Sequence, residues 1–377
     1  MKSILNTKKI SIDVRVHGIH FVCQCDNSEP LKRIHDFIPP ETNHRNSAIK
    51  FDIVQIRSNI YYLQIKEIVS NFSVIRSIRT YFEKSHNYYK FDNIEIFAPI
   101  EEEGYVIIKE FNTIIICMSL TPLEYTQHML RIVREIIYRY LEDTGIIAFH
   151  AGSVSLDDIG VMVIGPSGVG KTTLILTLLE SHNAAYITND RTLYFPSSNT
   201  LGSFPISIRI GLGTLYGSQK LISNLKNRHL EFEQVNYKSP IPSLDFSNKM
   251  NRSKLELNPK ELTTILDVPF IESSPLKKLL IPSFSNINMI PSITRLDPTS
   301  VIDILTKETR TPIDEVWPEP WIYLRKISNV SLKEIVNREL IKMIENIPAY
   351  KISFGPDFSS HIKEKSLLTL IDEQAQR

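Results

Sequence analysis

Three glycines ahead of a lysine constrain this chain more than any other feature, in the run Gly165-Pro166-Ser167-Gly168-Val169-Gly170-Lys171-Thr172-Thr173. Before it stands Gly160-Val161-Met162-Val163-Ile164, a short apolar segment of buried-strand type. After it, Leu174-Ile175-Leu176-Thr177-Leu178-Leu179-Glu180 reads as helix. Glycine tolerates positive φ and close backbone approach, so successive amide N–H groups can turn inward and form a concave nest for an anion. The following helix adds its N-terminal donors and its dipole. The spacing is that of a phosphate-binding loop, G-x-x-x-x-G-K-S/T, in the strand-loop-helix context that the motif requires. Gly165, Pro166, Ser167, Gly168, Val169, Gly170, Lys171, Thr172 and Thr173 are therefore the candidate nucleotide-binding residues. Lys171 is placed to reach the β- and γ-phosphates of ATP or GTP, and the Thr172 hydroxyl to ligate Mg²⁺.

A second strand-like run follows, Ala184-Ala185-Tyr186-Ile187-Thr188-Asn189-Asp190-Arg191. In α/β sheets the ligand site lies outside the carboxyl ends of the strands, so Asp190 is expected at the same crevice as Lys171. The other reading is a turn residue that caps the next element.

With 377 residues the chain has room for two domains, or three, and its 42% hydrophobic content suffices for ordinary cores. Lys+Arg 43 against Asp+Glu 42 leaves a net charge of +1, which provides no global field for nucleic acid or an acidic membrane. Neither is expected as a partner. Cys23, Cys25 and Cys117 lack the spacing of a metal cluster and read as buried or free thiols in a reducing compartment. The first residues have no apolar signal core, and no segment approaches ~18 consecutive apolar residues, so a cytoplasmic location is expected.

The first 120 residues read as a β-rich α+β domain. Alternating or apolar runs at 10–16, 51–56, 60–65, 94–97, 105–109 and 113–118 predict strands, and a helix is expected near 74–84. His17 and His20 read as surface or core histidines rather than a metal pair. Thr121-Pro122-Leu123-Glu124 is a capping box that predicts a bridging helix over 121–144, with Tyr125, Met129, Ile132, Val133, Ile136 and Tyr140 on its apolar face and Gly145 past its end. A nucleotide-binding domain is expected over 145–355. Within it a short strand is predicted at 206–210, and a second capping-box start at Asn258-Pro259-Lys260-Glu261. Residues 312–320, with Trp317 among them and Trp321 just after, read as an irregular connector. A helix follows from Ser331 and a strand at 350–354, and residues 356–377 form a polar tail. The fold class is thus α/β, α+β overall.

His150-Ala151-Gly152-Ser153-Val154, the strand and loop at 160–173, and Ile187-Thr188-Asn189-Asp190-Arg191 together resemble the HPr kinase/phosphorylase-like domain, whose fold is related to phosphoenolpyruvate carboxykinases. Later pieces, Lys254-Leu255-Glu256-Leu257-Asn258-Pro259 and Ile347-Pro348-Ala349-Tyr350-Lys351, are similar to segments of HPr-kinase-like proteins of peptide and natural-product biosynthesis. The resemblance spans 145–355, and its first third is the specific part. It implies a kinase that moves the γ-phosphoryl of a nucleotide to a hydroxyl, commonly a serine, on a peptide, protein or small molecule, with a homo-oligomer as a plausible assembly. It also implies that Lys171 and the loop amides bind phosphates, that Thr172 and Asp190 face the metal, and that His150 lies beside the reacting phosphoryl. Asn189 stands where the family has the first acid of an Asp-Asp pair, and Thr173 where HPr kinases have a glutamate, which sets this chain apart from HPr kinases themselves.

On these readings the catalytic candidates are Asp190, His150 and Lys171. Asp190 would accept or orient the acceptor proton, and His150 would bind the transferred group or orient Asp190. Arg209 reads equally as a further positive charge or as a solvent-facing strand residue. The alternatives are a nucleotide-binding regulatory switch and an NTPase without kinase activity.

Overall fold

The computed structural model describes residues 9–40, 47–81, 84–100, 104–120, 126–180, 183–215, 218–227, 254–285, 287, 289–356, 358 and 371. The capping box at 121–124 and Tyr125 lie outside them, as does most of the 356–377 segment. The chain is of mixed α/β character, α+β overall, and divides into two compact units. One comprises Met1–Thr144 with Pro312–Asn329, and the other Gly145–Thr311 with Val330–Arg377.

The first unit is built on an eight-stranded mixed sheet in the order β1-β2-β3-β8-β7-β6-β5-β4. Its strands are β1 (Ile10–Val16), β2 (Ile19–Cys25), β3 (Ile49–Arg57), β4 (Arg76–Tyr81), β5 (Lys84–Phe91), β6 (Ile94–Pro99), β7 (Tyr105–Glu110) and β8 (Thr113–Met118). β1 and β2 join through His17 and Gly18 at φ 50° and 78°, the paired positive values of a tight hairpin turn whose twist matches its strands. The helices of this unit are α1 (Ser28–Phe37), α2 (Asn59–Ser70) and α3 (Gln127–Glu142).

Two sequence expectations fail here. Residues 60–65 are not a strand: Ser58 caps α2 by accepting a hydrogen bond from the Tyr61 amide, and Tyr62, Ile65 and Val69 are buried at helical spacing. The helix expected near 74–84 is replaced over its described residues by strand: β4 pairs antiparallel with β5, and Ile78, buried to 1% exposure, points into the core. In β4 cross-strand pairing overrode a weak local signal, whereas in α2 a local cap and helical spacing outweighed β-type composition. The three cysteines are buried free thiols, as expected.

α3 is buried on almost every side and carries charge into the core. Arg139 is 1% exposed and donates to Glu142 at 2.9 Å and to the carbonyl of Trp317. Arg325 donates to the same Glu142 carboxylate at 2.7 Å, and Glu135 accepts from the Trp321 amide at 3.0 Å. Burial pushes Glu135 up to about 7, against the pull of Arg139. Burial also works against the Arg139 charge, but Glu135 and Glu142 outweigh it and keep the guanidinium cationic. This network fixes residues 312–329, including both tryptophans, as part of the first unit. Removing one partner from such a set leaves buried charge uncompensated, at a cost of about 3–5 kcal/mol. Arg139→Met is therefore expected to lower unfolding stability by about that amount in urea titrations followed by tryptophan emission, whereas Lys326→Met at the exposed end of the same segment should change it by less than about 0.5 kcal/mol.

The second unit has a sheet ordered β12-β10-β11-β17-β14-β13-β9, with β19 also paired to β17 and β18 to β19. The strands are β9 (Ile147–Phe149), β10 (Ala151–Leu156), β11 (Ile159–Ile164), β12 (Ala184–Thr188), β13 (Thr192–Phe195), β14 (Thr200–Gly202), β17 (Ser273–Phe284), β18 (Ser292–Arg295) and β19 (Ala349–Phe354). β15 (Ile208–Gly211) and β16 (Lys254–Leu257) form a separate ribbon. Val161 and Val163 face one core, with Leu174 and Leu178 of α4 (Lys171–Leu179). Met162 and Ile164 face the other, with Leu305 of α8 (Pro298–Glu308) and Leu340 of α9 (Asn329–Asn346). The sheet thus lies between helices, and its strands read as continuous apolar runs. α5 (Leu212–Leu215), α6 (Gln219–Asn227) and α7 (Pro259–Leu266) complete the unit, α7 starting with the expected capping box of Asn258 and Glu261. Among the described residues no helix is long and apolar enough to cross a membrane.

Candidate phosphate-binding site

Strand register decides what meets at the edge of the second sheet. β10 runs antiparallel to both β11 and β12, so those two run parallel to each other and end at the edge where β10 begins. Ala151 pairs with Ile164, which sets His150 beside Gly165, and Ser153 pairs with Thr188, two residues before Asp190. Three segments distant in sequence thereby converge at one edge.

The loop between β11 and α4 has φ values of 149°, 84° and 98° at Gly165, Gly168 and Gly170. All three lie in the region that side chains disfavour, as an inward-turned amide nest requires. Phe284, at the end of β17, donates its amide to the Val169 carbonyl at 3.1 Å and anchors the loop. Lys171 begins α4, is 8% exposed, and donates to the carbonyls of Gly165 at 2.6 Å and Pro166 at 2.9 Å. Burial lowers its pKa from the ordinary lysine value, while the carboxylates of Glu308 and Asp190 pull it back up. Thr172 is half-buried in the first helical turn. The Thr173 hydroxyl lies 3.2 Å from that of Thr214 on α5, which ties the helix start to the segment after β15.

The turn after β12 is locked from several sides. The Thr188 hydroxyl donates to the Arg191 carbonyl at 2.9 Å, the Arg191 amide to the Asn189 carbonyl at 2.7 Å, and the Thr192 hydroxyl to the Ala151 carbonyl at 3.0 Å. Asp190 adopts φ 60°, a left-handed conformation that aspartate tolerates better than most residues. Burial raises its pKa, and Lys171, Arg191, Lys254 and Arg209 oppose that rise. Arg209 itself is exposed on β15. Asn189 is 1% exposed, and its side-chain amide nitrogen has no hydrogen-bond partner among the described residues.

Sequence reasoning missed two residues, Glu308 and Arg310. The chain leaving α8 pairs back along β9: the His150 amide donates to the Glu308 carbonyl at 2.7 Å, and the Arg310 amide to the Ala148 carbonyl at 2.8 Å. This brings the Glu308 carboxylate to 2.8 Å from His150 Nδ1, with the Arg310 guanidinium 3.7 Å from the same carboxylate. Burial, with Lys171, Arg310 and Arg191 nearby, pushes His150 down to about 3, so the ring is neutral at physiological pH. Nδ1 lies 2.8 Å from the Glu308 carboxylate and 3.2 Å from an Arg310 guanidinium nitrogen, so this pair orients the ring. Glu308 is 7% exposed and its pKa is raised by burial against Lys171 and Arg310. No spacing rule connects these positions to the glycine loop; only the return of the chain beside β9 does.

The edge therefore combines three cations near His150 (Lys171, Arg310 and Arg191), two carboxylates with raised pKa, and a neutral imidazole. Among the described residues no group of three or more His, Cys, Asp or Glu side chains forms a ready-made metal cage. A hydroxyl and one carboxylate, Thr172 and Asp190, are nonetheless the hard oxygen donors that suit Mg²⁺, which takes few protein ligands and completes its shell with phosphate and water. No family model matches the chain, and no curated protein matches it.

A Cβ placed on Gly170 would lie 2.9 Å from the Phe354 ring and 3.0 Å from Phe284 Cβ, whereas one on Gly168 meets nothing within 4 Å. Both residues carry backbone strain of about 1–3 kcal/mol if replaced, but only Gly170 adds a clash. Gly170→Ala is expected to depress the melting temperature clearly more than Gly168→Ala in calorimetry.

Proposed function

We propose that the second unit is a nucleotide-dependent phosphotransferase domain of the HPr-kinase-like, phosphoenolpyruvate-carboxykinase-related type. It transfers the γ-phosphoryl of ATP or GTP to a hydroxyl of serine type on a peptide, protein or small molecule. The observation that carries this reading is the convergence of the three-glycine loop, His150 and Asp190 at one sheet edge through the pairing of β10 with β11 and β12. A nucleotide-binding loop alone would suit a switch or an NTPase equally well. A carboxylate with raised pKa placed close enough to feel the loop lysine favours proton abstraction from an acceptor.

In this reading the loop amides and Lys171 hold the β- and γ-phosphates, and Arg310 adds charge at the far side of the transferred group. Thr172, with Asp190 facing the same position, would hold Mg²⁺, which would supply charge neutralisation for the phosphates. The acceptor oxygen attacks the γ-phosphorus, the bond from that phosphorus to the β–γ bridging oxygen breaks, and the acceptor proton passes to Asp190. The nucleoside diphosphate leaves with the bonding electrons. His150, neutral and oriented by Glu308 and Arg310, positions the incoming hydroxyl or a water. Such a loose transition state needs positioning and cations more than covalent help.

Isothermal titration with MgATP and MgGTP, paired with ³²P transfer from the γ position to serine-containing peptides and to water, tests the proposal. Lys171→Ala is expected to weaken nucleotide binding by at least ~100-fold. Asp190→Asn should keep binding within a few-fold yet slow transfer by ~10²–10⁴. Label appearing only as free phosphate would replace the kinase with an NTPase. Binding with no turnover would leave a switch, and absence of binding would remove all three readings.

The pH dependence has a definite sign. As the base, Asp190 must be ionised, and burial raises its pKa, so transfer should be lost as pH falls through a value above the ordinary ~4 of aspartate. The profile of kcat/KM is therefore expected to show an acid limb above that range, absent in Asp190→Asn. His150 remains neutral across the same interval and contributes no limb.

A further inference from the structure

The strand ends beside the glycine loop carry an apolar surface that the chemistry above does not use. β17 runs parallel to β11, and β19 parallel to β17, so all three strands deliver their carboxyl ends to the edge where the loop begins. In sheets of this kind that edge holds the ligand. β17 ends at Phe284 and β19 at Phe354, and the two residues are paired in register.

Both are fastened to the loop. The Phe284 amide bonds to the Val169 carbonyl, the Ser285 amide donates to the Phe354 carbonyl at 2.8 Å, and the Phe354 ring and Phe284 Cβ close the space beside Gly170. Behind Phe284 the aromatic packing is continuous: its ring meets Phe354 edge-on with centroids 5.6 Å apart, and Phe354 stacks on Phe358 at 4.4 Å. Phe354 and Phe358 are buried, whereas Phe284 is 37% exposed. The aromatic row therefore ends in an open ring.

The segment after Phe284 has the same character. Ile287 and Ile290 are 72% and 82% exposed, Met289 is half-buried, and the Ser285 hydroxyl is already engaged as acceptor of the Ile287 amide at 3.4 Å. Large apolar side chains exposed together beside a polar site mark a surface that contacts a ligand. Tethered to a phosphate nest, this one suits a group that is flat, apolar on its faces and joined to phosphates.

We propose that Phe284, flanked by Ile287 and Ile290, is the nucleobase platform of the same site, on which the base of the bound triphosphate stacks. The inference rests on the nucleotide reading given above and adds the selectivity for the base. Stacking engages the π-face that every base has, and its strength grows with the area covered. The platform therefore favours purine over pyrimidine nucleotides.

The test is isothermal titration of the full-length protein with the Mg²⁺ complexes of ATP, GTP, UTP and base-free tripolyphosphate. ATP and GTP are expected to bind more tightly than UTP. Phe284→Ala keeps the amide and the Cβ that touch the loop, so it should weaken ATP and GTP by about ten-fold and leave tripolyphosphate within about two-fold. Ile287→Ser, altered at an exposed position, should weaken ATP by about three-fold with the same indifference to tripolyphosphate, and it serves if Phe284→Ala does not fold by circular dichroism. An equal loss of ATP and tripolyphosphate binding would reduce Phe284 to a support of the loop. Unchanged ATP affinity in the folded variants, or UTP bound as tightly as ATP, would place the base elsewhere. Each of these results overturns the platform and leaves the phosphate site standing. Failure of the wild-type protein to bind either ATP or tripolyphosphate would remove both.

Discussion

The candidate site depends on the antiparallel seating of β10 between β11 and β12. One register, Ala151 against Ile164 and Ser153 against Thr188, turns three separate sequence segments into neighbours. The constraint is strong because side chains alternate across the sheet: Met162 and Ile164 fill one core while Val161 and Val163 fill the other. A slip of one residue in β11 would exchange these faces and carry the glycine loop away from His150. The apolar packing that stabilises the sheet therefore also fixes where the loop, the imidazole and Asp190 stand.

Charge at this edge is balanced rather than simply positive. Lys171, Arg310 and Arg191 face Asp190 and Glu308 in a partly buried space, and each group shifts its neighbours. Carboxylates kept closer to neutrality by burial make better bases, and the cations that keep them partly ionised are the charges a polyphosphate would engage. Lys171 rests on the carbonyls of Gly165 and Pro166. Phosphate would thus take over a donor that the loop itself has satisfied.

The parts of this arrangement that were legible in the sequence were local. The loop spacing, the strand and helix around it, the acid at the end of the next strand and the capping box at Asn258 all follow from residues within a few positions of one another. Glu308 and Arg310 were invisible because their placement is set by backbone pairing with β9 across a long stretch of chain. Trp317 and Trp321 read as a connector because nothing in their own segment reveals the buried partners Arg139 and Glu135. The misreading of α2 as a strand has a simple origin: its apolar residues apart from Leu63 are aromatic or β-branched, and the deciding signal was the Ser58 cap with Tyr62, Ile65 and Val69 at helical spacing.

The central claim, that the loop and the neighbouring strand end enclose a magnesium nucleotide, is tested most directly by a crystal structure with a nonhydrolysable triphosphate analogue and Mg²⁺. The account predicts the β- and γ-phosphates seated on the amides of residues 165–173, Lys171 released from the Gly165 and Pro166 carbonyls to the phosphate oxygens, and Asp190 at the metal beside the γ-phosphate. An analogue bound elsewhere, or a loop that stays empty with Lys171 still on its own carbonyls at saturating nucleotide, would contradict it.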